Sequence, residues 1–204
     1  MVRFTQVAAG MAAVVACFAQ HPAPPGKASG KTVHELFLED QADRDSPGGD
    51  MSKLDWSKIG PRDEARRSQV LAMVDSGKLT TGTDFREASF IFQHGSKPQD
   101  YLMAHILATA ALARGDSESR WIVAATLDRY LHAVGQPQVF GTQYHIRNAG
   151  EPMTQEPFDR TLVPADPRAA FVPNDKIQRA MLEAFQHNRE PDLSNYESEL
   201  PCRN

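Results

Sequence analysis

The sequence predicts an all-α protein, an irregular antiparallel bundle of about six helices with one long polar loop. Apolar residues recur at helical spacing in several segments, and glycine, proline and capping residues stand between those segments. Strand-like alternation is limited to residues 138–144. The connections between the predicted helices are short, which favours antiparallel packing of neighbouring helices.

Capping and breaking residues define each helix. Thr32-Val-His-Glu35 is a capping-box pattern, and Pro61, Pro98 and Pro173 suit the first position of a helix. The predicted starts and ends, in chain order, are Thr32 and Arg44, Pro61 and Gly77, Thr83 and Gly95, Pro98 and Gly115, Ser117 and Gly135, a short turn at Asp166-Pro167, and Pro173 for the last helix.

Helical spacing predicts which side chains face the core. The predicted inward stripes are Val70, Leu71 and Val74; Phe85, Ala88, Ser89 and Phe92; Leu102, Ile106, Ala110 and Ala113; Trp121, Ala124, Ala125 and Leu131; and Ile177, Ala180, Met181, Ala184 and Phe185. These stripes predict one helical domain at 31–190, followed by a tail at 191–204.

The composition narrows the class of partner. The chain has 204 residues, of which 41% are hydrophobic and 24% are charged, as in a globular domain that buries a sizeable core. Its formal net charge of -4 includes no broad basic field, so we do not expect nucleic acid as the main partner. No apolar run reaches the ~20 residues of a membrane-spanning helix.

The N-terminus is typical of an export signal. Residues 7–18 form an apolar run of the length found in signal peptides. Val14-Val15-Ala16-Cys17 matches the bacterial lipoprotein pattern, which predicts a signal at 1–16, a lipid on Cys17 and a flexible tether at 17–30. An ordinary signal cleaved after Ala19, or a wrongly assigned start codon, is the alternative. We expect a periplasmic or membrane-anchored protein that contacts the membrane only through this anchor.

The cysteines and histidines do not predict a metal site or a cofactor. Cys17 and Cys202 are too far apart for a Cys-based metal motif, and no two histidines stand four residues apart. The two cysteines are able to form a disulfide only if Cys17 carries no lipid. We expect no disulfide because both cysteines lie in segments of disordered character.

Two polar residues fall on the predicted apolar faces of neighbouring helices. His105 lies among leucines and alanines of the fourth helix, and Asp128 lies on the apolar face of the fifth. An antiparallel hairpin with its turn near 115–117 places them at the same height, so the spacing predicts a buried His105–Asp128 pair. The pair is either a satisfied structural contact or a general base with its orienting carboxylate. A share in a metal site is a third alternative.

The third helix ends in Gln93-His94, and residues 135–145 form a loop with three glutamines. Gln93-His94 is either a C-cap device or part of a catalytic pair, since a helix C-terminus favours a charged imidazole. Gln138 and Gln143 either hold the loop together or line a pocket for a sugar or peptide. The loop lacks the Gly-Lys-Ser/Thr of a phosphate-binding loop, and hydrolase and dinucleotide motifs are also missing.

Four of these segments together resemble a bacterial family of helical proteins that is catalogued only as a domain of unknown function. The segments are Glu39-Asp40-Gln41-Ala42-Asp43-Arg44, Phe92-Gln93-His94, Asp128-Arg129-Tyr130 and Gly135-Gln-Pro-Gln-Val-Phe-Gly-Thr-Gln143. The resemblance spans about residues 33–145 and implies no activity. It groups Asp40, Arg44, Gln93, His94, Asp128 and Gln143 into one expected site, either a connected buried network or a binding pocket.

Two functions follow from these patterns. The first is an exported, non-catalytic module that binds a peptide, glycan or protein of the cell envelope, or serves a structural role there. The second is a small hydrolase or transferase with His94 or His105 as the base and Asp128 as its orienter. A pocket of ~300 Å³ or more beside His94, His105 or Asp128 favours the second, and a closed network favours the first.

Overall fold

The computed structural model describes residues 30–45, 54–145 and 151–186. The predicted signal, the lipidation site Cys17, the tether up to residue 29, Cys202 and the tail 191–204 lie outside the described residues. Every element below belongs to the unit Lys31–Asn204.

The described residues confirm the all-α class. They form seven α-helices, a 3-10 turn at Ser117–Ser119 and one small antiparallel hairpin of two strands. The elements are α1 Val33–Ala42, α2 Trp56–Asp75, α3 Gly82–Phe92, α4 Pro98–Ala113, α5 Arg120–Ala133, β1 Tyr144–His145, β2 Thr154–Gln155, α6 Ala165–Ala169 and α7 Asp175–Gln186. In the part of the chain with described structure, no helix is long and apolar enough to cross a membrane.

The helix starts are partly as predicted. The capping box at Thr32 and Glu35 begins α1, and Pro98 is the first residue of α4. The prediction for α2 was wrong, because the helix begins at Trp56 and Pro61 lies inside it. Pro61 is the sixth residue of α2, close to the helix start. Its missing N–H removes only one intrahelical hydrogen bond, because the first four N–H groups of a helix have no intrahelical partner in any case.

The cap of α3 was also predicted two residues too late. Thr81, and not Thr83, is the N-cap: its hydroxyl accepts from Asp84 N at 3.1 Å, and Asp84 Oδ2 accepts from Thr81 N at 2.9 Å. Aspartate here replaces the usual glutamate or glutamine of a capping box. The glycine at position 82 therefore belongs to the helix and not to the turn before it.

The main core lies between α1, α2, α3 and α4, and α5 packs mainly against α4. The predicted α4 stripe was wrong: Leu102 and Ile106 are 38% and 53% exposed. The buried face instead consists of Ala104, Leu107, Ala108 and Ala111. Because α4 is apolar on most sides, periodicity alone does not identify its buried face. Leu71 and Trp121 are likewise exposed and not inward.

A second apolar cluster forms beneath the loop that follows α5. Val139 and Phe140 of the loop pack with Ala124 of α5 and Val172 before α7. Gln138 forms an isolated β-bridge with Phe158, and β1 and β2 pair beside it. This second cluster holds the loop between α5 and β1 against the side of α5.

Candidate functional site

Side chains from three other helices bind the carbonyls of Gln93, the C-cap of α3, and of the two residues that follow it. A helix leaves its last carbonyls without intrahelical partners, and these carry a partial negative charge. Gln93 O accepts from Arg129 Nη1 at 2.9 Å, and His94 O accepts from Arg67 Nη1 at 3.0 Å. The next carbonyl, that of Gly95, accepts from the Tyr101 hydroxyl at 2.9 Å. The backbone around His94 is therefore held from α2, α4 and α5 at once.

The ring of His94 is held by a buried carboxylate. Its Nδ1 lies 2.9 Å from Asp40 Oδ2 and 3.1 Å from Oδ1. Burial lowers the pKa of His94 below its usual value, the contact with Asp40 opposes that change, and Arg44 and Arg129 add to it. A neutral ring donates Nδ1–H to Asp40. Among the described residues Nε2 has no hydrogen bond, which leaves its lone pair available to accept a proton.

Asp40 also belongs to an ion-pair network between α1 and α2. The carboxylate is completely buried, and Arg44 Nη1 donates to it at 3.1 Å. The same guanidinium donates to Asp63 Oδ2 at 2.6 Å, and Arg66 contacts Asp63 at 3.3 Å. Arg66 and Arg62 also pair with Asp43. Three carboxylates and three guanidinium groups balance in charge, which limits the cost of burying all of them except the exposed Arg62.

A groove of about 600 Å³ lies beside His94. That volume is within the ~300–1,000 Å³ of small-molecule sites. Its apolar part includes Phe92, Leu71 and Pro61, and its polar part carries charges of both signs and two hydroxyls. The polar lining residues are His94, Arg67, Lys97, Glu64, Asp100, Ser68 and Ser96.

Asp128 is bound by the loop that follows its own helix. It is completely buried, and its carboxylate accepts from the backbone amides of Val139, Phe140 and Thr142 at 2.8, 3.0 and 3.0 Å. The Thr142 hydroxyl donates a fourth bond at 2.8 Å. Four donors satisfy the oxygens, so this carboxylate organises the loop and orients no histidine. The prediction of Asp128 as the orienting carboxylate of a base was wrong.

The predicted His105–Asp128 pair does not form. His105 Nδ1 lies 3.0 Å from the carbonyl oxygen of Val123, a backbone atom of α5. Burial lowers the pKa of His105, and the bond to Val123 opposes the change. Helical spacing placed the two residues at similar heights but did not identify their partners, which are a helix carbonyl for one and loop amides for the other.

Gln138 and Gln143 hold the loop together. Gln138 Nε2 donates to Gln143 O at 3.1 Å and to Glu156 O at 2.9 Å, and its Oε1 accepts from Gln143 N at 2.8 Å. Gln143 Oε1 accepts from Arg129 Nε at 3.2 Å, and its Nε2 donates to Ala125 O at 3.1 Å. Both side chains are occupied by the protein, as expected of a structural staple.

The six residues grouped by the family resemblance lie in one continuous network. Arg44 joins Asp40, Asp40 joins His94, and the Gln93–His94 peptide leads to Arg129. Arg129 joins Gln143, which reaches Asp128 through the hydroxyl of Thr142. His94, in the middle of this network, borders the groove, and the end at Asp128 is closed by the loop.

Sequence reasoning missed Asp63, Arg66 and Arg67 as parts of this site. Asp63 and Arg66 lie between Ile59 and Val70 on the buried stripe of α2. Their spacing is the same signal that drew attention to Asp128, a charged residue on an apolar helix face. The wrong start of α2 at Pro61 removed Ile59 from that stripe and hid the signal.

Comparison of the chain with protein-family models, curated proteins and solved structures finds no match. Within the described residues, no group of three or more histidine, cysteine, aspartate or glutamate side chains is arranged to hold a metal ion. The geometry at His94 is therefore the feature from which a function can be inferred.

Proposed function

We propose that this protein is an exported helical binding module whose ligand occupies the groove beside His94. The groove supports this proposal, because it has the volume of a ligand site and joins an apolar wall to hydrogen-bonding groups. The fixed backbone at His94 adds support, since a preorganised site loses little entropy on binding. A peptide or glycan fragment of the envelope has the mixed polar and apolar surface that such a lining accepts.

A tryptophan placed in the groove tests this proposal. Ser68 is exposed and lines the groove, so Ser68→Trp fills part of it without disturbing the core. Gln69→Trp is the matched control, because Gln69 is exposed on the same helix but does not line the groove. Envelope peptides and glycan fragments are screened by thermal shift and NMR. We expect compounds that bind the wild type and Gln69→Trp but bind Ser68→Trp at least ~10-fold more weakly. Equal binding to all three proteins would contradict the groove as the site.

A hydrolase or transferase is the second candidate. The groove beside His94 exceeds the ~300 Å³ that was expected of an enzyme site, and the His94–Asp40 contact favours this candidate as well. A neutral imidazole whose Nδ1–H is held by a carboxylate has the arrangement of a general base. In this proposal Asp40, and not Asp128, orients the base. A panel of chromogenic esters, amides and glycosides tests it. Activity that falls ~100-fold or more in His94→Gln, with retained folding, supports the enzyme, and activity equal to the wild type rejects it.

We also propose that Cys17 anchors the exported chain to a membrane surface. The lipoprotein-like pattern before Cys17 supports the proposal. Fatty-acid labelling of the full chain and of Cys17→Ala in a bacterial host tests it. We expect label and membrane association in the wild type and neither in Cys17→Ala. Equal association of both with the membrane fraction would contradict the anchor.

A further inference from the structure

Arg129 is a half-buried cation without a carboxylate partner among the described residues. Five other arginines that are buried or half-buried each have a carboxylate within 4 Å. They are Arg44, Arg66, Arg67, Arg86 and Arg168. Arg129 instead donates to a carbonyl of α3 and to the amide oxygen of Gln143. Both of these acceptors are uncharged groups.

The guanidinium of Arg129 retains donors for a further partner. An arginine has five N–H donors in a planar fork, and the bonds to Gln93 O and Gln143 Oε1 use one at Nη1 and one at Nε. Nη2 makes no hydrogen bond in the described part of the chain. It is also not one of the fully buried side-chain atoms without a hydrogen bond in that part. This nitrogen therefore reaches solvent.

No carboxylate contacts Arg129 directly among the described residues. Burial lowers its pKa, Tyr101 opposes the change and Arg44 adds to it. Both Asp40 and Asp63 are engaged by Arg44, and Asp128 is enclosed by loop amides. The C-terminus of α3 contributes the equivalent of about half a negative charge, which offsets only part of the arginine charge.

We infer that Arg129, which lies next to the Gln93–His94 peptide but outside the lining of the groove, forms an anion subsite that takes a carboxylate or phosphate group of the ligand. This inference deepens the proposed binding function and rests on it. An arginine fork matches the oxygens of both groups, and a partly desolvated guanidinium gains more from an anion than one in water. The ring of Tyr101 lies 6.0 Å from the Arg129 guanidinium and limits its positions.

Titration with small anions tests the subsite in the full chain. Sodium phosphate and sodium acetate are added separately at constant ionic strength, and the melting temperature and the His94 ring proton are followed. We expect at least one anion to raise the melting temperature by about 3 °C at ten times its Kd. A bound anion should also raise the pKa of His94, since a nearby negative charge favours the imidazolium. The two arms distinguish a phosphate site from a carboxylate site.

Variants separate the subsite from general charge effects. Arg129→Gln should lose the response, and Arg129→Lys should keep a response at least ~5-fold weaker, because lysine has no fork. Arg114→Gln removes the same charge from an exposed arginine and should respond like the wild type. Ser68→Trp blocks the groove but leaves Arg129 unchanged, so this variant should respond to the anions like the wild type. No response in the wild type to either anion, or an undiminished response in Arg129→Lys, would overturn the inference. Ligands that still bind the groove in that case would leave the proposed function intact.

Discussion

Asp40 and Asp128 are both completely buried aspartates, but their partners differ in kind. Asp128 is bound by three backbone amides and a hydroxyl of one loop. Asp40 is bound by the charged or titratable side chains of Arg44 and His94, together with the neutral amide of Gln41. The first arrangement holds a loop in one conformation. The second couples a carboxylate to a histidine that borders a groove, and such a coupling can respond to pH or to a ligand.

The largest expected effect comes from removing Asp128. Asp128→Ala leaves three buried or half-buried amides without an acceptor, and each costs ~1–3 kcal/mol. We expect the free energy of unfolding to fall by about 4 kcal/mol in urea denaturation. Asp75→Ala, at an exposed position at the end of α2, should change it by less than ~0.5 kcal/mol. A loss below ~1 kcal/mol for Asp128→Ala would contradict its role in the loop.

The loop around Asp128 should also resist changes in its backbone. Gly141 has a φ of +81°, and an added Cβ would lie 2.5 Å from Gln178 Oε1 and 2.6 Å from Phe158 Cε1. Gly115 has a similar φ of +87° but no heavy atom within 4 Å of that position. We expect Gly141→Ala to cost about 3 kcal/mol and Gly115→Ala about 1 kcal/mol in thermal unfolding. Equal losses of unfolding free energy in the two variants would contradict a rigid loop around Asp128.

Neutralising Asp40 should cost less stability than removing Asp128. Asp40→Asn keeps the shape of the side chain and one acceptor oxygen but removes the negative charge that pairs with Arg44. We therefore expect the free energy of unfolding to fall by about 2 kcal/mol. The exposed neighbour Glu39, whose ion pair with Lys31 lies in water, is the control. Glu39→Gln should cost less than ~0.5 kcal/mol. An equal effect of the two substitutions on urea denaturation would contradict the buried network.

Acidification should destabilise the protein through His94. Burial lowers the pKa of its ring in the folded state, so the unfolded state binds more protons. The contribution of His94 is therefore complete above the unfolded pKa of ~6.5 and is lost as the pH falls through and below that value. Its slope is at most ~1.4 kcal/mol per pH unit. His94→Gln should flatten the dependence of unfolding free energy on pH between about 7 and 5, and an unchanged slope would contradict this.

The smallest expected effect is the coupling between His105 and Asp128. The two side chains share no hydrogen bond and have separate partners. A double-mutant cycle of His105→Ala and Asp128→Asn should therefore give a coupling energy below ~0.5 kcal/mol. A coupling above ~1 kcal/mol would restore the pair that the helical spacing suggested.

The sequence predicted the helices well and the partners of the polar residues poorly. Capping patterns are local, so Thr32 and Pro98 identified helix starts directly. The buried face of α4 was not predictable by periodicity, because Leu102 and Ile106 are as apolar as the residues that pack inside. The satisfaction of Asp128 by amides of residues 139–142 depends on how the loop folds back, which no helical wheel describes.

The sequence predicted which residues belong to the candidate site but not which of them contact each other. The resemblance brought together Asp40, Arg44, His94 and three further residues, and hydrogen bonds do connect them. The position of Asp128 on an apolar helix stripe, where burial of a charge costs free energy, correctly predicted that it is buried. The same criterion on α2 would have found Asp63 and Arg66 had the helix been started at Trp56.

The most direct test of the central claim is an NMR titration of the His94 imidazole in the wild type and in Asp40→Asn. We predict a neutral ring at pH 7 with the proton on Nδ1, a pKa below the ordinary ~6.5, and a further fall when Asp40 is neutralised. The fall follows because the substitution removes the contact that raises the pKa while burial stays. An ordinary pKa that is the same in both proteins would contradict the account.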